Sequence, residues 1–220
     1  MHWPGAFHEQ TSKSDQTGGT VSELALAIPL PGAGPVDGAT AEECEWVQRA
    51  RQGDLEAFDL IMGRYETKLL RFLTGLVSDV EVARELCQDT FLAAYQALPR
   101  LSGEVRLSAW LHTIALNRAR SYHRKRRLRA FLPLEDHHVA APGLDLQESV
   151  AFHDAVRRTL ARMPKPYVTA LLLQTASGLS CREIAEVVGC SESAVKVRLM
   201  RARDTFRRLY RLEEREPCGP

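Results

Sequence analysis

The sequence predicts an all-α protein built as two small helical domains joined by a flexible linker. Three observations carry that prediction. Apolar residues recur at steps of three and four, cap-like residues precede those runs, and no segment sustains the period-two alternation of a strand. An acidic stretch containing Pro133, Pro142 and Gly143 divides the periodic segments into two groups.

Taken in order, residues 1–40 carry Gly, Pro, Ser and Thr without periodicity and are expected to be a flexible tail. Thr40 and Glu43 have capping-box spacing, in which side chains satisfy orphan N–H groups of a first helical turn. Trp46, Val47 and Ala50 follow. After Gly53-Asp54, Phe58, Ile61, Met62, Tyr65, Leu69, Phe72, Leu73 and Leu76 form the stripe of one long amphipathic helix. Ser78 and Glu81 repeat the capping spacing and open a helix to about Leu98, which Pro99 stops. A polar loop, 100–104, leads to a helix with Leu107, Trp110, Leu111, Ile114 and Ala115 inside, ending near Arg129. The first domain is therefore 41–130.

Residues 131–150 read as the linker and 151–212 as the second domain, with a C-terminal tail at 213–220. Phe152, Val156, Leu160 and Met163 mark a helix closed by Pro164, and Val168 to Ala176 makes another, ending at Gly178. Ser180 and Glu183 form a third capping box before a short helix, Cys181 to Val188. Ser191 then caps a last helix to about Leu212.

The formal net charge is +1, but it is segregated. Residues 41–104 hold seven bases against twelve acids, 105–130 eight bases and no acids, 131–155 five acids and no bases, and 156–220 thirteen bases against seven acids. Two basic blocks among acidic ones predict an anionic partner in two places and another partner elsewhere. No apolar run approaches the ~18–20 residues of a membrane helix, and Met1-His2-Trp3-Pro4 lacks a basic signal-peptide start, so a cytoplasmic protein without membrane insertion is expected. Five scattered cysteines without CxxC spacing suit reduced, small apolar residues. His137, His138 and His153 are expected to be solvated rather than metal-bound. No nucleophilic triad, phosphate-binding Gly-rich loop or metal-ligand spacing is present, so neither an enzyme nor a cofactor is expected.

Glu183 through Val195 fits a helix-turn-helix. Ala185 is small where a second helix would cross, Gly189 tolerates a left-handed turn, and Ile184, Val188, Val195 and Leu199 would lock the pair. The second helix would place Ser191, Glu192, Ser193, Lys196 and Val197 at base edges in a major groove, while Arg198, Arg201, Arg203, Arg207 and Arg208 would meet phosphates. The other basic block is different. Arg124-Lys125-Arg126-Arg127 extends an amphipathic helix on which Trp110, Asn117, Arg118, Arg120, Ser121 and Tyr122 interleave aromatic, amide and cationic groups. That mixture suits single-stranded or distorted DNA. His112 is expected at a solvent-facing or stripe position.

The run Ala83-Arg84-Glu85-Leu86-Cys87-Gln88-Asp89-Thr90-Phe91-Leu92-Ala93-Ala94-Tyr95 resembles the core helix of sigma region two. Trp110-Leu111-His112-Thr113-Ile114-Ala115-Leu116-Asn117 resembles that region's WLxxIAxN signature, and Ala194 to Arg203 resembles the region-four recognition helix. In this order they resemble an extracytoplasmic-function (ECF, group four) sigma factor over about residues 41–212. The resemblance implies sigma regions 2 and 4 as the two domains. Glu85, Gln88 and Asp89 would bind the β′ clamp of core RNA polymerase, whose β subunit is a further partner. Trp110, Asn117, Arg118, Arg120, Ser121, Arg124 and Lys125 would hold the melted minus-ten element, with the loop 101–106 around a flipped base. The C-terminal helix would read the minus-thirty-five element as duplex, the acidic linker would pass through a nucleic-acid channel, and an anti-sigma factor would be a partner. A stand-alone helix-turn-helix regulator accounts for the C-terminal half but not for the two N-terminal runs; a sigma-like protein that sequesters an anti-sigma factor would tolerate loss of the DNA-facing arginines.

Overall fold

The computed structural model describes residues 40–103, 105–129 and 147–215, and all its regular structure there is helical. In chain order the helices are α1 (Ala41–Arg51), α2 (Leu55–Val77), α3 (Val80–Ala97), α4 (Leu107–Arg129), α5 (Gln147–Arg162), α6 (Lys165–Thr175), α7 (Cys181–Val188) and α8 (Glu192–Arg215), with a 3₁₀ turn at Leu98–Arg100. The tail 1–39, most of the predicted linker and its expected channel path, and His137 and His138 lie outside the described residues. The linker prediction ran too far: α5 already begins at Gln147.

Local chemistry sets the helix ends. The Glu43 N–H donates to Thr40 Oγ1, but the capping box is incomplete. The Glu43 carboxylate turns inward instead, accepting from the Tyr65 hydroxyl at 3.0 Å and from Arg64 at 3.2 Å. Asp54 caps α2, accepting from the Ala57 N–H and from Arg49. The Ser78–Glu81 box is not formed. Ser78 ends α2 in the left-handed region at φ 59°, and Asp79 caps α3 by accepting from the Glu81 and Val82 N–H groups. A carboxylate is the better acceptor for a first turn, so the cap falls one residue later than the spacing suggested. Ser180 and Glu183 do form the reciprocal box that opens α7.

In the first half, α1 and α4 pack on α2, and α3 packs on both α2 and α4. Phe58 meets Phe91 and Tyr95 edge-on at 6.4 and 5.1 Å between centroids, a favoured aromatic arrangement. In the second half, α5, α6 and α7 all pack on α8. The halves also touch: α7 lies against α4, and α6 against α2. At the second contact a Cβ on Gly75 would stand 2.7 Å from Leu172 methyl carbons, so glycine permits this approach.

His112 is buried rather than solvent-facing, because it shares the α4 face that carries Ser108 and packs on Phe72. Its Nδ1 donates to the Ser108 carbonyl at 2.7 Å, while Nε2 has no partner among the described residues. Burial pushes its pKa down to about 4, opposed in part by the Ser108 bond. The unfolded chain takes up this proton near 6.5, so folding stability should fall as pH drops from about 6.5 towards 4, by about 3 kcal/mol at 1.36 kcal/mol per unit. Urea melts across that range should show His112→Leu with a flatter profile than the parent.

Candidate nucleic-acid interface

The helix-turn-helix is present. α7 ends at Gly189 with φ 73°, and the Gly189 N–H donates to the Ala185 carbonyl. The Ala194 N–H donates to Ser191 Oγ, capping α8 as the sequence indicated. Ile184, Val195, Leu199 and Ala202 are buried between the helices; Val187 is buried as well, whereas Val188 is only half-buried.

With those residues inside, one face of α8 is left in water: Glu192, Ser193, Lys196, Val197, Met200 and Arg201. Lys196 donates to Glu192 at 2.7 Å one turn apart, which lowers the Glu192 carboxyl pKa and raises that of Lys196. The two candidate base readers thus hold each other when no DNA is bound. Arg203 does not stand ready for a phosphate here; it reaches back to Gln174 of α6 at 2.6 Å, because position 203 lies on the side of α8 facing α6. Arg198 is half-buried. Met200 was missed in the sequence, although its place one turn beyond Lys196 and three residues after Val197 puts it on the same face. Val197 and Met200 are 44% and 56% exposed, large for apolar groups on a charged surface.

On α4 the expected set splits. Trp110 is 1% exposed and belongs to the core, so it cannot stack on a base in this fold. Its position two turns before Asn117 keeps it on the buried stripe. Asn117, Arg118 and Ser121 are half-buried, and Arg120, Arg124 and Lys125 are exposed. Every residue from Arg124 to Leu128 is exposed, so the end of α4 stands clear of its neighbours with a dense positive charge. His123 anchors the preceding turn, its Nε2 lying 3.1 Å from the Leu76 carbonyl at the end of α2. On α3, Glu85, Gln88 and Asp89 are exposed on one face, together with Leu92, an exposed apolar residue that the sequence reading did not single out.

A helix-turn-helix, with a second basic helix end projecting from the other half of the chain, is the arrangement of a candidate DNA-binding protein with two cationic surfaces. Comparison with known proteins makes the class specific. Sigma-70 region 2 matches residues 61–129 and Sigma-70, region 4 matches 153–206. The chain is 30% identical over 177 residues to the RNA polymerase sigma-H factor of Pseudomonas aeruginosa, covering 75% of this chain and 92% of that protein. It is 31% identical over 170 residues to the ECF RNA polymerase sigma-E factor of Haemophilus influenzae, covering 72% and 89%. Among solved structures it resembles CnrH in complex with the cytosolic domain of CnrY, with a TM-score of 0.64, 23% identity, and coverage of 78% of this chain and 99% of that one. It also resembles the sigma factor RpoE in complex with the anti-sigma factor NepR from Bartonella quintana, with a TM-score of 0.54, 26% identity, and coverage of 74% and 99%. The chain belongs to the sigma-70 family, as a member of its ECF group.

Proposed function

We propose that this ECF sigma factor joins core RNA polymerase and divides promoter recognition between its two halves, in the cytoplasm where transcription takes place. In this reading 41–130 is region 2 and 151–212, together with the start of α5, is region 4. The observation that carries the division is the contrast between two basic surfaces. One is the exposed face of a helix-turn-helix with mixed polar and apolar readers, suited to duplex DNA; the other is a projecting cationic helix end beside Asn117, suited to a displaced strand. Melting is driven by binding: unstacking costs a few kcal/mol, offset by contacts that exist only with the open strand. The exposed acidic and amide face of Glu85, Gln88 and Asp89 on α3 offers the clamp a surface. Its work is recognition, not bond chemistry. Run-off transcription on genomic promoter fragments tests the whole reading: core enzyme plus this chain should start at defined sites, and uniform initiation or none would refute it.

Within region 4, Lys196 accounts for base discrimination, and the exposed Val197 and Met200 suit the C5-methyl group of thymine. Lys196→Ala should cost ~1–3 kcal/mol of discrimination at one minus-thirty-five position. Replacing thymine by deoxyuridine in a duplex selected by the holoenzyme should weaken the parent protein but not a Val197→Ala, Met200→Ala double variant. Competition binding checks both, and an unchanged base preference would remove the assignment.

A further inference from the structure

The loop 101–106 leads from the 3₁₀ turn after α3 into α4, and buried apolar side chains hold both of its feet, Leu98 and Leu101 on one side and Val105 on the other. Between them Ser102 and Gly103 are exposed, and Gly103 takes a left-handed φ of 74°. Backbone carried into water in this way has no helix of its own to order it. Its order comes from far along the chain. Arg51, the last residue of α1, donates from Nη2 to the Gly103 carbonyl at 2.7 Å, and α1 packs on the 3₁₀ turn. Arg51 Nε is buried without a hydrogen bond among the described residues.

α1 is itself held at both ends. Near its start the buried Glu43 accepts from the Tyr65 hydroxyl and from Arg64, both on α2. The Arg64 guanidinium stands 4.6 Å from the centre of the Trp46 ring, a cation–π distance. Near its end Arg49 pairs with Asp54, the cap of α2, at 2.8 Å. Val47 and Ala50 are buried between these points. Arg51 therefore projects from a fixed post of 11 residues, about 16 Å long.

We propose that Arg51 is a positioning residue that holds the 101–106 loop in the shape that receives a base of the melted strand, with α1 as the post from which it acts. This deepens, and rests on, the reading of that loop as the receiver of a flipped base. A loop that orders itself only on DNA gives up that entropy from the binding free energy, whereas a loop ordered on folding does not. A guanidinium is suited to the task because its planar fork fixes the direction of the bond it donates. Arg51 need not touch the strand; it acts through the Gly103 peptide.

The test is holoenzyme binding to a fluorescent single-stranded oligonucleotide carrying the minus-ten sequence that the holoenzyme selects. Each base in turn is replaced by an abasic site. The parent should lose about tenfold or more in affinity at one such position, the base that the loop receives. Arg51→Ala should collapse that ratio. Its melting temperature and the salt slope on the unmodified oligonucleotide should stay at the parent's values, since no phosphate contact is removed. Arg51→Lys, whose ammonium still has a donor for the same carbonyl, should recover part of the ratio. Arg51→Ala with the parent's ratio would overturn the proposal, and so would a collapse matched by a fall in melting temperature, which would mark a purely structural role. Gly103→Val separates this from failure of the underlying reading, because a β-branched residue does not accept the left-handed φ and deforms the loop directly. If Gly103→Val keeps the parent's ratio, the loop is not the receiver and the reading fails. If it abolishes the ratio while Arg51→Ala does not, only the role of Arg51 fails.

Discussion

Trp110→Ala should destabilise the protein by ~3–5 kcal/mol, the usual cost of deleting a large buried aromatic side chain. Trp110 is among the largest fully buried side chains, in a core with Phe72, Leu69, Leu73, Leu111 and Ile114. Its removal leaves a cavity that rigid helices on both sides cannot collapse into. Chemical denaturation followed by circular dichroism measures the loss. The informative companion is Trp110→Phe, which keeps most of the volume. That variant should remain folded and form open complexes at close to the parent's rate, because the indole touches protein and not DNA. A folded Trp110→Phe protein with normal duplex binding but failed melting would return the residue to the DNA surface.

The second large effect lies at the other end of the same helix. Arg120, Arg124 and Lys125 are exposed, so replacing all three by alanine should leave the melting temperature nearly unchanged. Affinity for a single-stranded minus-ten probe should nevertheless collapse at moderate salt. Each lost phosphate contact lowers the slope of log K against log salt by about 0.7 for single strands, so the triple variant should show a slope smaller by about 2. Titrations of the holoenzyme over a range of potassium chloride read it directly. An unchanged slope would mean that these cations face solvent in the complex too. Asn117→Ala, by contrast, should impair strand opening with little change in slope, since it removes a hydrogen-bonding amide and no charge.

The all-α character and the helix-turn-helix were legible because both depend on local chemistry. The 3.6 period along Phe58 to Leu76, the Ser180–Glu183 box and the left-handed Gly189 need only neighbours in sequence. What was not legible depended on distance. Whether a stripe residue such as Trp110 or His112 ends inside or outside is decided by which helices cover it, and α2 covers His112. The Ser78 cap is the local exception: Asp79, the adjacent residue, offers a charged acceptor in the same turn. The bond from Arg203 back to Gln174 of α6, at 2.6 Å, joins residues 29 apart and had no sequence signal. The Arg106–Glu186 bond, eighty residues apart, had no sequence signal at all.

α4 runs unbroken from its buried beginning at Leu107 to its exposed cationic end, 23 residues or about 35 Å. Mechanically it is a cantilever clamped at the Trp110 end and loaded at the Arg124 end. In the proposed function, a strand pulling on the tip does not bend a loop; it pushes against a base in which Trp110, Leu111, His112 and Ile114 are all buried, with His112 against Phe72 of α2. The mount is stiff, so work done at the tip goes into the DNA rather than into slack in the protein.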